Sequence, residues 1–161
     1  MKKGIATTKP GTEEVMREIS EQESAESEGA LLAVRDASGK QILVVEDDFN
    51  VVELIRDIVA LLGFEVIVAE NAEQALDKFE QCSDSALCVI LDYGIPGMDA
   101  SRLLSRLREI DAKVKVLLSS GYSRSFIAKE FPLESVDGFI PKPYEPQLLV
   151  EALNKVVNTA Q

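Results

Sequence analysis

Several polar residues of this 161-residue chain directly follow short apolar runs. These residues are Glu46, Asp47 and Asp48 after ILVV, Asp92 after ALCVIL, Ser120 after VKVLLS, and Lys142 after VDGFIP. Mg²⁺ prefers oxygen ligands, and a carboxylate can attack phosphorus to form an acyl phosphate when a metal ion and a cation neutralise the charge. The residue types therefore predict phosphoryl acceptance on Asp92, with Mg²⁺ and Lys142 neutralising charge and Ser120 donating its hydroxyl to a phosphoryl oxygen.

The apolar pattern predicts five strand–helix units that position these residues. Predicted strands span residues 42–45, 64–69, 86–92, 114–119 and 136–140. A predicted helix follows each strand, at residues 51–62, from Asn71, around Leu103 to Ile110, at 123–130 and from Pro146. Strands that are apolar on both faces and separated by helices indicate a parallel sheet covered on both sides. We therefore expect a doubly wound α/β domain with its functional site at the carboxyl ends of the strands.

Capping residues predict where the first two helices begin and end. Asn50, with Glu53 three residues later, resembles a capping box at the start of the first helix. Gly63 is suited to stopping that helix, and Asn71 with Gln74 predicts the start of the second. We interpret Asp48 as a loop or capping acid rather than a third metal ligand.

Composition excludes several classes of function. The chain has 28 acidic and 17 basic residues, a formal charge of −11, which disfavours nucleic acid and membrane surfaces as partners. Because it has no histidine, it cannot be a histidine phosphodonor, a Ser-His-Asp hydrolase or a His-ligated metal protein. Cys82 and Cys88 are too few for a disulfide framework, and no apolar run approaches about 18 residues. We expect a soluble cytoplasmic protein with reduced thiols.

The first forty residues differ in composition from the rest. Residues 1–40 are acidic and rich in serine, which is typical of a flexible tail, and the domain is expected over residues 41–161. Val15, Met16 and Ile19 lie at helical spacing within the tail, so a short partner-binding helix is an alternative there.

Four motifs in this order closely resemble the receiver domain of two-component response regulators. They are ILVVEDD, VILDYGIPGMDA, VLLSSGY and GFIPKPY, and the resemblance spans about residues 41–159. It implies a (βα)5 flavodoxin-like fold with strand order 2-1-3-4-5. It also implies Mg²⁺-dependent phosphorylation of Asp92 by a sensor histidine kinase or a histidine phosphotransfer protein, followed by slow self-dephosphorylation, without other enzymatic activity.

The resemblance further implies roles for the residues around Asp92. Glu46 and Asp47 are the acids on the metal side, and the Mg²⁺ is also held by Asp92 and the backbone carbonyl of Gly94. Lys142 contacts the phosphoryl group and precedes a cis bond to proline. The EDD run also permits the register Asp47 with Asp48, but the position directly after ILVV favours Glu46 with Asp47.

Ser120 and Phe139 correspond to the switch residues of the family. Phosphorylation would draw the Ser120 hydroxyl inward and vacate space that the Phe139 ring could fill. The face formed by the fourth helix, fifth strand and fifth helix would then change and bind a downstream target protein. Pairing of two copies through this face is left open.

The sequence leaves alternatives to a free-standing phosphorylation switch. Because Gln161 directly follows the predicted fifth helix, output is expected through a partner. The domain could also come from a larger sensor kinase, or act as a phosphorylation-independent adaptor. A phosphatase that forms an aspartyl phosphate would need a second carboxylate two residues after Asp92, where this chain has Gly94. Flavin or dinucleotide binding is disfavoured because acids, rather than hydroxyls or a GxGxxG motif, follow the first strand.

Overall fold

The computed structural model describes residues 39–158, which form one five-stranded sheet with helices on both faces. The strands are β1 (Gln41–Val45), β2 (Glu65–Ala69), β3 (Ala86–Asp92), β4 (Val116–Ser120) and β5 (Gly138–Pro141). The helices are α1 (Phe49–Leu61), α2 (Ala72–Cys82), α3 (Ala100–Ile110), α4 (Arg124–Glu130) and α5 (Pro146–Asn158), with a 3₁₀ turn at Leu133–Ser135. The tail predicted over residues 1–40 lies outside the described residues, except for its last two.

The predicted sheet topology is confirmed. The strand order is β2-β1-β3-β4-β5, and each neighbouring pair is parallel. Each strand is followed by a helix that returns the chain to the amino edge of the sheet, so the carboxyl ends of all five strands lie along one edge. None of the helices in the described part of the chain is long and apolar enough to cross a membrane.

The two faces of the sheet bury separate apolar clusters. Along β1, Leu43 and Val45 contact the cluster under α2, α3 and α4, whereas Ile42 and Val44 contact the cluster under α1 and α5. All four side chains are fully buried, because successive residues of a strand point to opposite faces and both faces are covered by helices. This two-sided burial explains the continuous apolar run ILVV.

The predicted start of α1 at Asn50 is wrong. The helix begins at Phe49, and its N-cap is Asp48, whose carboxylate accepts hydrogen bonds from the Asn50 amide at 2.9 Å and the Val51 amide at 3.4 Å. Asp48 has the extended backbone of an N-cap, and its negative charge is favourable at a helix N-terminus. Glu53 pairs with Arg56 instead of completing a capping box. The capping interpretation of Asp48 is confirmed.

The other two predicted boundaries agree with the structure. Gly63 follows the end of α1 with a φ of 81°, a left-handed conformation that glycine adopts without strain. Asn71 caps α2 by accepting a hydrogen bond from the Gln74 amide at 2.9 Å. These turns fix where β2 enters the sheet and where α2 leaves its carboxyl edge.

Gly138, the first residue of β5, lies in close contact with β4 and α5. A Cβ atom at this position would come within 2.9 Å of Leu117 Cδ1 and 3.0 Å of Val156 Cγ2. Both contacts are shorter than normal carbon–carbon packing distances, so β4 and α5 together leave room only for a hydrogen.

We predict that Gly138→Ala lowers the free energy of unfolding by about 1–3 kcal/mol, because the added methyl overpacks the site. Urea or thermal unfolding of the purified protein measures the change. Gly121→Ala is the matched control, because a Cβ at Gly121 would meet no atom within 4 Å. Equal stability of the two variants would contradict the close packing of β5 on α5.

Candidate functional site

The carboxyl ends of β1 and β3 bring acidic side chains together. Glu46 directly follows β1, and Asp92 is the last residue of β3, its neighbour in the sheet. Val45 pairs with Leu91, so Glu46 and Asp92 occupy the next position on both strands. One carboxylate oxygen from each of Glu46, Asp47 and Asp92 lies within 4.8 Å of the others. Glu46 is 2% exposed and Asp92 is 9% exposed, whereas Asp47 is open to solvent.

Asp48 has a different position from these three acids. Its side chain caps α1, and its backbone amide donates a hydrogen bond to Glu46 Oε1 at 3.2 Å. The carboxylate cluster therefore contains Glu46 and Asp47, the first of the two registers that the EDD run permits. The same hydrogen bond fixes one oxygen of Glu46 in the turn between β1 and α1.

Lys142 reaches the carboxylates from the far side of β4. Its ammonium nitrogen lies 2.5 Å from Glu46 Oε2 and 3.0 Å from Asp92 Oδ1. The backbone amide of Lys142 donates to the Ser120 carbonyl at 2.7 Å, so the pairing of β4 with β5 continues one residue beyond the strand. The peptide bond between Lys142 and Pro143 is cis, as the sequence resemblance implies.

The electrostatics of this cluster follow from burial and ion pairing. Burial raises the pKa of Glu46, and the hydrogen bond from Lys142 opposes that change without cancelling it. Burial also lowers the pKa of Lys142, but its hydrogen bonds to Glu46 and Asp92 outweigh burial, so the net pKa is raised. Lys142 is therefore a cation held against the Asp92 carboxylate at neutral pH.

The donor set fits a hard divalent cation. Three carboxylates of different burial can offer oxygens on one side, and the exposure of Asp47 leaves room for water ligands, which Mg²⁺ usually retains. Gly94 lies beside the Asp92 carboxylate, because a Cβ there would be 3.4 Å from Asp92 Oδ2. Glycine leaves this space open, and position 94 contributes no carboxylate of its own. The metal contact of its backbone carbonyl stays a prediction.

The candidate switch residues lie on the other side of Asp92. Ser120 is the last residue of β4 and is buried, and its Oγ accepts a hydrogen bond from the Tyr122 amide at 3.0 Å. A serine hydroxyl that accepts a hydrogen bond still has its own proton to donate.

Phe139 pairs with Leu118 across β4 and β5 and is half-buried, with the Arg124 guanidinium 5.8 Å from the centre of its ring. Ser120 and Phe139 lie on the same face of the sheet. Ser120 is two residues after Leu118, the partner of Phe139, and alternate residues of a strand point to the same face.

Aromatic side chains contact one another in the loops that follow β3 and β4. The rings of Tyr93 and Tyr122 meet edge to face at 6.5 Å, and Tyr122 stacks on Phe126 of α4 at 4.8 Å. Tyr93 also meets Phe131 edge to face at 6.3 Å. The rings therefore connect the residue after Asp92 to α4 and the turn that follows it.

The sequence did not predict a buried pair of hydroxyls close to the carboxylate cluster. The hydroxyls of Ser119 and Tyr144 form a hydrogen bond, and both side chains are buried. Burial raises the pKa of Tyr144 to about 12. The sequence signals this pair only through Ser119, the last residue of the apolar run VKVLLS. A serine in that position is equally compatible with the start of a loop.

Comparison with known proteins agrees with this geometry. Residues 42–154 match the sequence model of the response regulator receiver domain. The chain is 31% identical over 119 residues to the chemotaxis protein CheY of Bacillus subtilis, covering 73% of this chain and 98% of CheY.

Solved structures show the same fold. The response regulator TrrA of Thermotoga maritima, in complex with Mg²⁺ and BeF, superposes with a TM-score of 0.64 at 31% identity, covering 73% of this chain and 98% of TrrA. CheY in the CheX–CheY–BeF3–Mg²⁺ complex of Borrelia burgdorferi gives a TM-score of 0.68 at 25% identity, covering 74% of this chain and 90% of that chain. Sequence and fold together establish that this chain belongs to the response regulator receiver domains of two-component signalling.

Proposed function

We propose that this protein is a phosphorylation-dependent signalling switch that accepts a phosphoryl group on Asp92. The observation that carries the proposal is the position of the Asp92 carboxylate, which has an oxygen within 4.8 Å of two acids suited to a metal ion and another contact of 3.0 Å to the ammonium of Lys142. An attacking carboxylate needs positive charge on both sides of the transferring group, because negative charge develops on its oxygens.

The phosphodonor is a phosphohistidine on a sensor histidine kinase or a histidine phosphotransfer protein. An Asp92 oxygen attacks phosphorus, the new P–O bond forms as the P–N bond breaks, and the electron pair of that bond returns to the donor imidazole. Lys142 stays close to the phosphoryl oxygens and neutralises part of their charge. Glu46, Asp47, Asp92 and the Gly94 carbonyl would hold Mg²⁺, which supplies Lewis-acid neutralisation of the phosphoryl oxygens when bound.

The same site favours a switch over a phosphatase. A phosphatase needs an acid to protonate the leaving group of each substrate, and Gly94 offers no such group beside Asp92. We therefore propose that the only chemistry is the protein's own phosphoryl uptake and slow hydrolysis of the acyl phosphate.

Output is proposed to pass from Ser120 to the face of α4, β5 and α5. The phosphoryl group adds about −1.5 to −2 charges beside Ser120, whose proton is available to one of its oxygens. Inward movement of Ser120 favours a conformer in which Phe139 is more deeply buried, and Arg124 on α4 moves with the ring. A target protein, or a second copy, recognises the changed face. Because Cys82 and Cys88 are unpaired and buried, we place the protein in the reducing cytoplasm.

We predict that Asp92→Asn abolishes phosphoryl uptake. The wild-type protein, incubated with Mg²⁺ and acetyl phosphate, should gain one phosphoryl group in an intact-mass measurement, because the Asp92 carboxylate is the attacking group. The amide of asparagine is a poor nucleophile, so the variant should gain none. Asp99→Asn is the matched control, because Asp99 caps α3 and asparagine caps a helix equally well. Uptake by Asp92→Asn, or its loss in Asp99→Asn, would contradict the assignment.

We predict opposite effects for the two neighbouring aspartates. Asp48→Ala should lower the free energy of unfolding by about 1 kcal/mol through loss of the α1 cap, with little change in Mg²⁺ affinity. Asp47→Ala should weaken Mg²⁺ binding without lowering stability, because it removes an exposed ligand. Titration calorimetry and urea unfolding separate the two results. Weaker Mg²⁺ binding in Asp48→Ala than in Asp47→Ala would favour the other register.

We predict that Ser120→Ala separates phosphorylation from the conformational change. The variant should still bind Mg²⁺ and a beryllofluoride phosphoryl mimic, because its carboxylates and lysine are intact. Fluoride-dependent shifts in amide spectra should persist around Asp92 but disappear at Phe139 and along α4 and α5. Shifts of wild-type size at Phe139 in this variant would remove Ser120 from the signal route.

A further inference from the structure

The hydroxyl pair of Ser119 and Tyr144 lies outside the residues that contact the metal or the phosphoryl group. Ser119 is 0% exposed and Tyr144 is 7% exposed, and their hydroxyls hydrogen-bond to each other among the apolar side chains under α1 and α5. Buried hydroxyls are retained in a core only when they are hydrogen-bonded, because an unpaired hydroxyl loses its water partners without replacement. The pair therefore acts as one unit.

The unit joins two segments that the site requires. Ser119 pairs with Asp92 across β3 and β4, and its carbonyl accepts a hydrogen bond from the Tyr93 amide at 2.8 Å. Tyr144 is two residues after Lys142, in the loop between β5 and α5. The Ser119–Tyr144 bond consequently ties this loop to the strand that runs beside the acceptor.

Strand geometry places the Ser119–Tyr144 hydrogen bond on the face of the sheet that α1 and α5 cover. Leu117 and Tyr144 belong to the cluster under α1 and α5, and Ser119 shares a face with Leu117 because alternate residues of a strand point the same way. Ser120 points to the opposite face. The tie can therefore hold the loop that carries Lys142 without restricting the switch serine.

We propose that Ser119 and Tyr144 are positioning residues for Lys142, an inference that rests on the proposed phosphoryl uptake by Asp92. The backbone of Lys142 is held on one side by the hydrogen bond that its amide donates to the Ser120 carbonyl, and on the other by the hydrogen bond between the Tyr144 and Ser119 hydroxyls, two residues further along the chain. Two fixed points on either side of the lysine hold its ammonium in reach of both Glu46 and Asp92. Loss of one of these hydrogen bonds loosens the ammonium while leaving the carboxylates of Glu46, Asp47 and Asp92 in place.

Tyr144→Phe is the first test. It should take up phosphoryl groups from acetyl phosphate roughly tenfold more slowly, since small displacements of a charged group are costly in rate. Its Mg²⁺ affinity should equal that of the wild type, because the carboxylates are unaltered. A wild-type rate, or a parallel loss of Mg²⁺ affinity, would overturn the proposal. Ser105→Ala, which removes an exposed serine hydroxyl on α3, is the control.

The double variant Ser119→Ala/Tyr144→Phe separates positioning from stability. It leaves no unpaired buried hydroxyl, so its melting temperature should exceed that of Tyr144→Phe. If the pair positions Lys142, uptake stays as slow as in either single variant, because all three lack the same bond. Recovery of the wild-type rate together with stability would show that the pair is only structural. If Tyr144→Phe does not fold, Ser119→Ala alone gives the same comparison.

A readout independent of phosphorylation keeps the two proposals distinguishable. The Lys142 ammonium should give a slowly exchanging ¹H–¹⁵N signal in the wild type, identified by its loss in Lys142→Arg. Faster exchange in Tyr144→Phe and Ser119→Ala supports positioning even if the wild type takes up no phosphoryl group, which would defeat only the proposed function. Unchanged exchange in both variants defeats the positioning proposal, whatever the uptake.

Discussion

The ion pair of Lys142 with two buried carboxylates is the constraint on which this edge of the sheet depends. Glu46 directly follows β1 and Asp92 ends β3, its parallel neighbour, so two carboxylates lie side by side almost out of contact with water. Taking such charges out of water is costly unless a cation and hydrogen bonds compensate. Lys142 lies against both acids, and the Asp48 amide donates to Glu46, so the turns after β1 and β5 are held by the same electrostatic requirement.

The fold was predictable because its main determinant is local in sequence. Strands buried on both faces must be apolar throughout, so runs such as ILVV and ALCVILD identify parallel strands without any knowledge of their partners. The start of α1 was not predictable in this way. Asp48 and Asn50 are both good caps two residues apart, and the choice between them depends on the backbone that leaves β1 and on the hydrogen bond that Glu46 makes to this turn.

The candidate site likewise contains features that the sequence predicts and features that it does not. Residues at the carboxyl ends of parallel strands meet at one edge, so the sequence could bring Glu46, Asp92 and Lys142 together from strand positions alone. The pair of Ser119 and Tyr144 depends instead on the register of β4 against β5 and on which face each side chain takes. A serine in an apolar run and an aromatic residue after a proline predict neither the register nor the face of the sheet.

The proposed function makes opposite demands on the two adjacent serines of β4. A switch needs a group that moves when charge appears, whereas phosphoryl transfer needs a lysine that does not. Because neighbouring side chains of a strand point to opposite faces, Ser119 lies on the face of Leu117, which belongs to the cluster under α1 and α5, while Ser120 lies on the face of Phe139. The bond from Ser119 to Tyr144 is buried among apolar side chains, whereas the partner of Ser120 is the amide of Tyr122 in an exposed turn. Rearranging a packed interior is costlier than bending a surface turn, so in the proposed switch Ser120 can move without releasing Lys142.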